Sequence, residues 1–417
     1  MPENFHIDMP EAVRNIIHTI EEHGFKAYAV GGCIRDSILG RNPDDWDITT
    51  SAVPSQIKTF FKRTVDTGIA HGTVTIMIDK TGYEVTTYRI DGEYEDGRHP
   101  KSVEFSDRLV DDLCRRDFTI NAMAYNDTDG FVDEFKGLDD LDAKIIRCVG
   151  EPELRFTEDA LRMMRAIRFS AQLGFTIDEA TWDAIKKLAP SISKISMERV
   201  HVELGKTLMS AHPDYVAEYS EAGLFEPILP VVDNALKSRY NKKILAILRH
   251  VPDNIYLRYA ALFITSTPDE AAKTLRALKL DNKTVDTVSK LVELSKIDIE
   301  ETEPAVRTAL NKYGRDFLPL WHELMMAVLQ ASEDIIGISN PAKVKHLLTL
   351  KRLATDILAR GDCFTIKDLD ISGNDLIEYG LQGHEIGETL KSLLDIVIEN
   401  PKLNDKATLI AMIEHIK

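Results

Sequence analysis

Cysteine is scarce in this 417-residue chain: the four, Cys33, Cys114, Cys148 and Cys363, lie far apart with no C-x-x-C. That spacing suggests neither a disulfide framework nor a zinc site, and it reads as a set of reduced thiols. No apolar run approaches the roughly 18 residues of a membrane span, and the opening MPENFHIDMPEAV has neither a basic leader nor an apolar one. A cytoplasmic protein is expected. Basic charge is in deficit, with 51 Lys and Arg against 68 Asp and Glu and a formal net charge of −17. A surface of that sign argues against indiscriminate nucleic-acid binding, while leaving room for a local basic groove. G-x-G-x-x-G is absent, which removes the dinucleotide fingerprint, and no His-Asp dipeptide occurs to support a phosphohydrolase of the H-D type.

What is present is an ordinary globular composition, 44% hydrophobic and 29% charged, on a chain long enough for two to four domains. The first 150 residues mix β-type runs (KAYAV, DITT, GTVTIMID, YEVTTYRI) with helix-like stretches, which predicts a small mixed sheet with helices. From about residue 156 apolar residues recur at three- and four-residue spacing, as in LRMMRAIRFSAQL and KILAILRHV. The β signal fades and helices take over. Pro with Ser or Asn breaks the pattern near 210–215, 264–270 and 337–343. The fold class expected is an α/β head followed by an all-α neck, body and tail.

The stretch DDWDITT sets Asp45 and Asp47 two apart at the start of a β-prone run. On a strand they would share a face and repel. Such a pair suits either a solvated edge strand or a cation held between the carboxylates. Upstream, VGGCIRD places Gly31 and Gly32 between a strand and a helix, where backbone N–H groups can approach a phosphate, with Arg35 one turn in. A tight turn with a surface arginine fits the same letters. Taken together, glycines and an arginine for a triphosphate and paired carboxylates for Mg²⁺ match what nucleotidyl transfer needs, with two metals about 3.5–4 Å apart. Glu84, on another β-type run, is the candidate for a third acid.

Two further clusters are basic. In LCRRDFTINAMAYN, Arg115 and Arg116 suit an anion clamp, although on their own letters a solvated start to an element is favoured. In RFTEDALRMMRAIRFSAQLGF (155–175), Thr157 is expected as an N-cap with Glu158 and Asp159 in the first helical turn. Arg162, Arg165 and Arg168 then recur every three residues, each about 60° behind the last. They form either a solvated face with an Asp-to-Arg pair or a base reader. Cytosine and adenine both present an amino donor beside a ring-nitrogen acceptor, whereas uracil and guanine present the reverse. A carboxylate beside a guanidinium complements the first pair and mismatches the second. One Asp/Arg pair can thus select CTP and ATP with no nucleic-acid template.

In order along about the first 206 residues, VGGCIRD…GRNPDDWDITTS, RRDFTINAMA, VDEFKGLDDL, EDALRMMRAIRF and ISMERVHVELGK resemble the motifs of class II CCA-adding enzymes, the tRNA nucleotidyltransferase and poly(A) polymerase family, of the bacterial kind that makes the whole 3′-CCA end. The tail stretch ISGNDLIEYGLQGHEIGETLKSLLDIVIENPKLN is also similar to that family. The resemblance implies that Asp45 and Asp47 are catalytic and bind Mg²⁺. It implies that Gly32, Arg35 and Arg116 hold the triphosphate, that Asp159 and Arg162 read the base, and that Arg165 and Arg168 complete the ATP or CTP pocket. It further implies a nucleotidyltransferase head (1–150), a neck (151–210), a body (211–300) and a tail (301–417) that contacts tRNA, commonly as a homodimer. The substrates would be CTP, ATP and tRNA lacking all or part of its 3′ CCA, with no membrane involved. GHEIGETL (383–390) reads as a helix N-terminus open to RNA phosphates or as a glycine-rich entry with no ligand.

Within the family, a bacterial poly(A) polymerase shares the head motifs. The acidic balance and the lack of a basic C-terminal extension count against it. RIDGEYEDGRHPKSVEF (89–105) resembles the flexible loop tied to the final A, which counts against a CC-only enzyme. A catalytically inactive RNA-binding scaffold is the rival from another class, and it would need neither D-x-D nor E-D-x-x-R.

Overall fold

The structure, a computed structural model, describes residues 6–92 and 102–416. Two compact units divide the chain, Met1–Pro230 and Val231–Lys417. In the first, helix α1 (Glu11–Glu22) buries Val13, Ile16, Ile17 and Ile20. The apolar AYAV run then forms strand β1 (Ala27–Val30), buried at every position. Gly31, at φ +86, turns the chain into α2 (Gly32–Ile38). A side chain there would be strained in the left-handed region. Strand β2 (Ile48–Thr50), helix α3 (Pro54–Phe60), and strands β3 (Thr64–Gly68), β4 (Thr73–Ile78) and β5 (Thr81–Thr87) follow.

Val, Ile and Thr fill these strands because branched side chains pack well on a pleated surface. A two-stranded ribbon, β6 (Arg89–Asp91) with β7 (Val103–Phe105), stands apart from the main sheet. It forms the two ends of the segment similar to the flexible loop; residues 93–101 lie outside the described residues. After α4 (Leu109–Cys114), strands β8 (Ala124–Asn126) and β9 (Gly130–Val132) complete a seven-stranded mixed sheet in the order β3-β4-β5-β2-β1-β8-β9. β2 runs parallel to β5 and antiparallel to β1.

Helix α5 (Gly137–Ala143) leads to β10 (Ile145–Ile146), and α6 (Pro152–Glu158) is followed directly by α7 (Leu161–Leu173). Strand character does not end at residue 156: β11 (Thr176–Ile177) pairs in parallel with β10 before α8 (Glu179–Leu188) and α9 (Met197–Leu208). Two residues per strand leave too little alternation to show in a sequence.

The second unit has no strand among its described residues. Its breaks fall where Pro with Ser, Thr or Asn predicts them. Thr267 and Glu270 form a capping box around Pro268, and Asn340 caps the helix opened by Pro341. Near its end, Leu376, Leu393, Leu394, Val397 and Leu409 share one apolar core. No helix of the described residues is long and apolar enough to cross a membrane.

Candidate active site

Asp45 and Asp47 do not ride on a strand as expected. Residues 44–47 are irregular, and β2 begins at Ile48. The β1 ladder reaches only to Ala29 opposite Ile48, and beyond it a single bond, Val30 N–H to the Asp47 carbonyl at 3.0 Å, holds the chain. Both residues reach solvent, Asp47 with neighbours crowded about its carboxyl. Carried back one residue, the β2–β5 register that sets Ile48 opposite Val85 brings Asp47 opposite Glu84. Sheet pairing therefore gathers the acids that 37 residues of chain separate. Loss of water in the cleft raises the Asp47 pKa, Arg116 opposes the rise, and Asp45 adds to it. Glu84 is raised by the same desolvation and then by Asp47 and Asp45. Among the described residues no three His, Cys, Asp or Glu side chains gather tightly enough to cage a metal. The donors here are hard oxygens with open coordination. Mg²⁺, which keeps several waters and shares substrate phosphates, suits such a set.

The arginine pair is not a solvated start to an element. Arg115 and Arg116 are each mostly buried and bind Asp112 at 2.6 and 3.2 Å. Burial would raise the carboxyl of Asp112, yet the two guanidiniums hold it below its ordinary range. Gly31 matters here a second time. A Cβ on it would lie 2.9 Å from Arg116 Nη1, so only glycine lets that guanidinium pass. Arg116 Nε is buried with no hydrogen-bond partner. Gly32 opens α2 beside Arg35, whose Nη2 would be 3.7 Å from a Cβ at that glycine. Arg35 is itself buried, donating to Asp36 at 2.8 Å and to Asn121 at 2.6 Å.

The segment 155–175 is two helices, not one. Thr157 caps nothing; its hydroxyl donates to the Glu153 carbonyl inside α6. Asp159 ends α6, and its Oδ1 accepts from Leu161 N–H at 3.0 Å, so the acid caps α7 from outside. Asp159 does not pair with Arg162. Its two oxygens accept from Arg199 at 3.2 and 2.7 Å, while Arg162 binds Glu158 and donates to the Arg115 carbonyl at 3.0 Å. Arg165 binds Asp117 at 2.6 Å, and Arg168 binds Glu203. The stripe is an ion-paired wall rather than a solvated face. Burial works against the charge on Asp117, but Arg165 and Asn121 keep its carboxyl well below the usual range. Desolvation lowers Arg168, with Glu203 opposing.

Beneath the wall lies Phe169, 5% exposed, with the guanidinium carbons of Arg35, Arg165 and Arg168 at 5.0, 5.3 and 3.9 Å from its ring centre. Asp112, Asn121, Phe169, Arg199 and Glu203 were not singled out by sequence reasoning, and Glu158 was expected only as a first-turn acid. A signal existed for two of them: Arg199 and Glu203 stand four apart in ISMERVHVELGK and so share one face of α9.

A mixed sheet bearing acids at one strand start, with a helical pair bearing arginines behind it, defines a nucleotidyltransferase. Comparison with known proteins agrees in each part. The family described as Poly A polymerase head domain matches residues 27–147. The one described as RNA and SrmB-binding site of polymerase A matches 174–236, and a tRNA nucleotidyltransferase domain 2 matches 254–413. The CCA-adding enzyme of Pediococcus pentosaceus is 34% identical over 98% of both chains, and that of Levilactobacillus brevis is 36% identical over 99% of this chain and 98% of its own. The structure of the Bacillus stearothermophilus CCA-adding enzyme in complex with CTP has a TM-score of 0.75 at 32% identity, covering 97% of this chain and 96% of that one. The Thermotoga maritima CCA-adding enzyme complexed with tRNA shares the fold, with a TM-score of 0.62 at 20% identity. The chain belongs to the CCA-adding enzyme family of tRNA nucleotidyltransferases.

Proposed function

We propose that this chain builds and repairs the 3′-CCA of tRNA from CTP and ATP, with Asp45 and Asp47 holding catalytic Mg²⁺, Glu84 beside them, and the α6–α7 arginines around the base. The observation that carries it is the gathering of Asp45, Asp47 and Glu84 by the β2–β5 register, with Arg116 near enough to Asp47 to oppose the rise of its pKa and with its own Nε lacking a partner. A cation held by the acids and an anionic group beside Arg116 would satisfy both sides.

Bound Mg²⁺ supplies Lewis acidity toward the attacking 3′-hydroxyl and the departing pyrophosphate. The chain's own part is positioning. The Gly32 backbone opens α2 with its N–H groups toward the triphosphate, and Arg35 and Arg116 supply fixed positive charge to its oxygens. At the other end Asp159 accepts from the exocyclic amine of C or A, and Arg162 donates to the neighbouring ring nitrogen. A carboxylate offers about four acceptor sites; Leu161 and Arg199 use three of those on Asp159. The remaining site suits one amine. Arg165 and Arg168 close the pocket behind the base. The tail, 301–417, contacts tRNA, and the chain works as a cytoplasmic homodimer; sedimentation of the purified protein reads the last point.

Asp45→Ala and Asp47→Ala are each expected to lower the rate of nucleotide addition by about 10³-fold or more while tRNA binding stays within a few-fold, since several kcal/mol of transition-state stabilisation goes with a metal ligand. Filter binding and single-nucleotide incorporation on tRNA lacking its CCA measure the two. Near-normal rates in either variant would remove the metal role.

A further inference from the structure

Five contacts in the first unit close on themselves. Asp117 accepts from Arg165 at 2.6 Å and from the Asn121 amide at 3.0 Å. Asn121 Oδ1 accepts from Arg35 at 2.6 Å. Arg35 and Arg165 then meet again across the face of Phe169, at 5.0 and 5.3 Å from its centre. Arg168 lies over the same ring at 3.9 Å and is held there by Glu203. The ring of Phe118 meets Phe169 edge-on at 5.8 Å and 80°, which fixes its tilt. Arg35 comes from α2 in the head; Arg165 and Arg168 come from α7. The Phe169 ring meets guanidiniums from both.

A buried aromatic could serve as filler alone. Three guanidiniums are a poor choice of neighbour for filler, because burying like charges together costs free energy unless each has a counter-charge and the electron-rich ring face attracts them all. Arg35, Arg165 and Arg168 each have an acid, Asp36, Asp117 and Glu203. What those acids do not supply is a common surface that fixes the three cations relative to one another. The ring does.

We infer that Phe169 is a positioning residue for the nucleotide: its π face sets the spacing between the arginine at the triphosphate end and the two arginines at the base end. This rests on the nucleotide-binding roles given above for Arg35, Arg165 and Arg168. Its effect should fall on binding of CTP and ATP, with little on the chemical step, because the acids at Asp45 and Asp47 are not touched.

The test varies the charge of the ring without its shape. Replacing Phe169 with mono-, di- and trifluorinated phenylalanines withdraws density from the face stepwise and leaves the packing nearly unchanged. KM for CTP and ATP is expected to rise with each fluorine, to about ten-fold across the series, with kcat within two-fold and the melting temperature steady. Phe169→Leu should raise KM at least as far, and Phe169→Tyr should restore it. A flat KM across the fluorinated series overturns the inference, whatever Phe169→Leu does to folding. If the unmodified protein adds neither C nor A to tRNA, it is the functional reading that fails instead.

Discussion

Asp159 has two structural duties besides the one proposed for it. It caps α7 through Leu161 N–H and grips Arg199 with both oxygens. Together these fix the carboxylate to within a narrow range of directions, and a base reader needs that. Asp159→Asn keeps the shape but exchanges one oxygen for an amide donor, which can turn toward the carbonyl of U or G. Discrimination against UTP and GTP is then expected to fall by about 1–3 kcal/mol, read as the ratio of kcat/KM values in single-nucleotide incorporation. Unchanged discrimination would return Asp159 to a purely structural role. The acid and its neighbouring arginines were legible in E-D-x-x-R because residue types and local spacing carry that signal. Its partner was not: Arg199 lies 40 residues away, and only the packing of α7 on α9 decides which of several arginines meets it.

At the scale of elements, the turn from β1 into α2 does the most with the least. Gly31 serves twice, through its φ of +86 and through the absence of a Cβ beside Arg116. Gly31→Ala therefore combines left-handed strain, about 1–2 kcal/mol, with displacement of a guanidinium whose Nε already lacks a partner. A lowered melting temperature together with a KM for both nucleotides raised several-fold is expected. Strain alone would give the first without the second, and calorimetry beside steady-state kinetics separates them. The double glycine was visible in the sequence as a strand-to-helix turn. That one of its glycines makes room for a residue 85 positions later was not, since Arg116 arrives from the end of α4. The same limit explains the helix expected to start at a Thr157 cap: local spacing does not show that α6 ends at Glu158 or that Asp159, at the break, meets Arg199.

For the whole molecule, the mixed sheet near the start and the mostly helical remainder follow from composition and periodicity, and the expected breaks in the helices hold to within a few residues. The tail is less simple. Gly383 does precede a helix, His384–Glu399, but Glu385 stands in its first turn and its carboxylate accepts from Gln382 N–H at 3.4 Å. The place where an RNA phosphate would sit is thus partly held by the chain's own anion. If this helix start contacts tRNA, Glu385→Gln should tighten tRNA binding several-fold at low salt, with the gain shrinking as salt rises. Titrations at two ionic strengths check it, and equal affinities at both would exclude the helix start from the RNA surface.

The pairing of arginines with acids in the first unit has one more consequence, for life in a crowded solution. Arg35, Arg116, Arg162, Arg165 and Arg168 each bind a carboxylate, Asp36, Asp112, Glu158, Asp117 and Glu203, of which Asp112 also serves Arg115 and Glu158 also serves Arg155. Five bare guanidiniums would be a trap for whatever anion is most abundant, from inorganic phosphate to stray polyphosphate. With most of these donors already engaged by acids, a lone phosphate gains little, because apart from Arg116 Nε nearly every bond it makes must be taken from a carboxylate. Only a visitor long enough to reach several arginines at once, and shaped to meet Asp159 at its far end, gains more than it displaces. Selectivity against the commonplace thus begins before any base is read, in how the pocket waits.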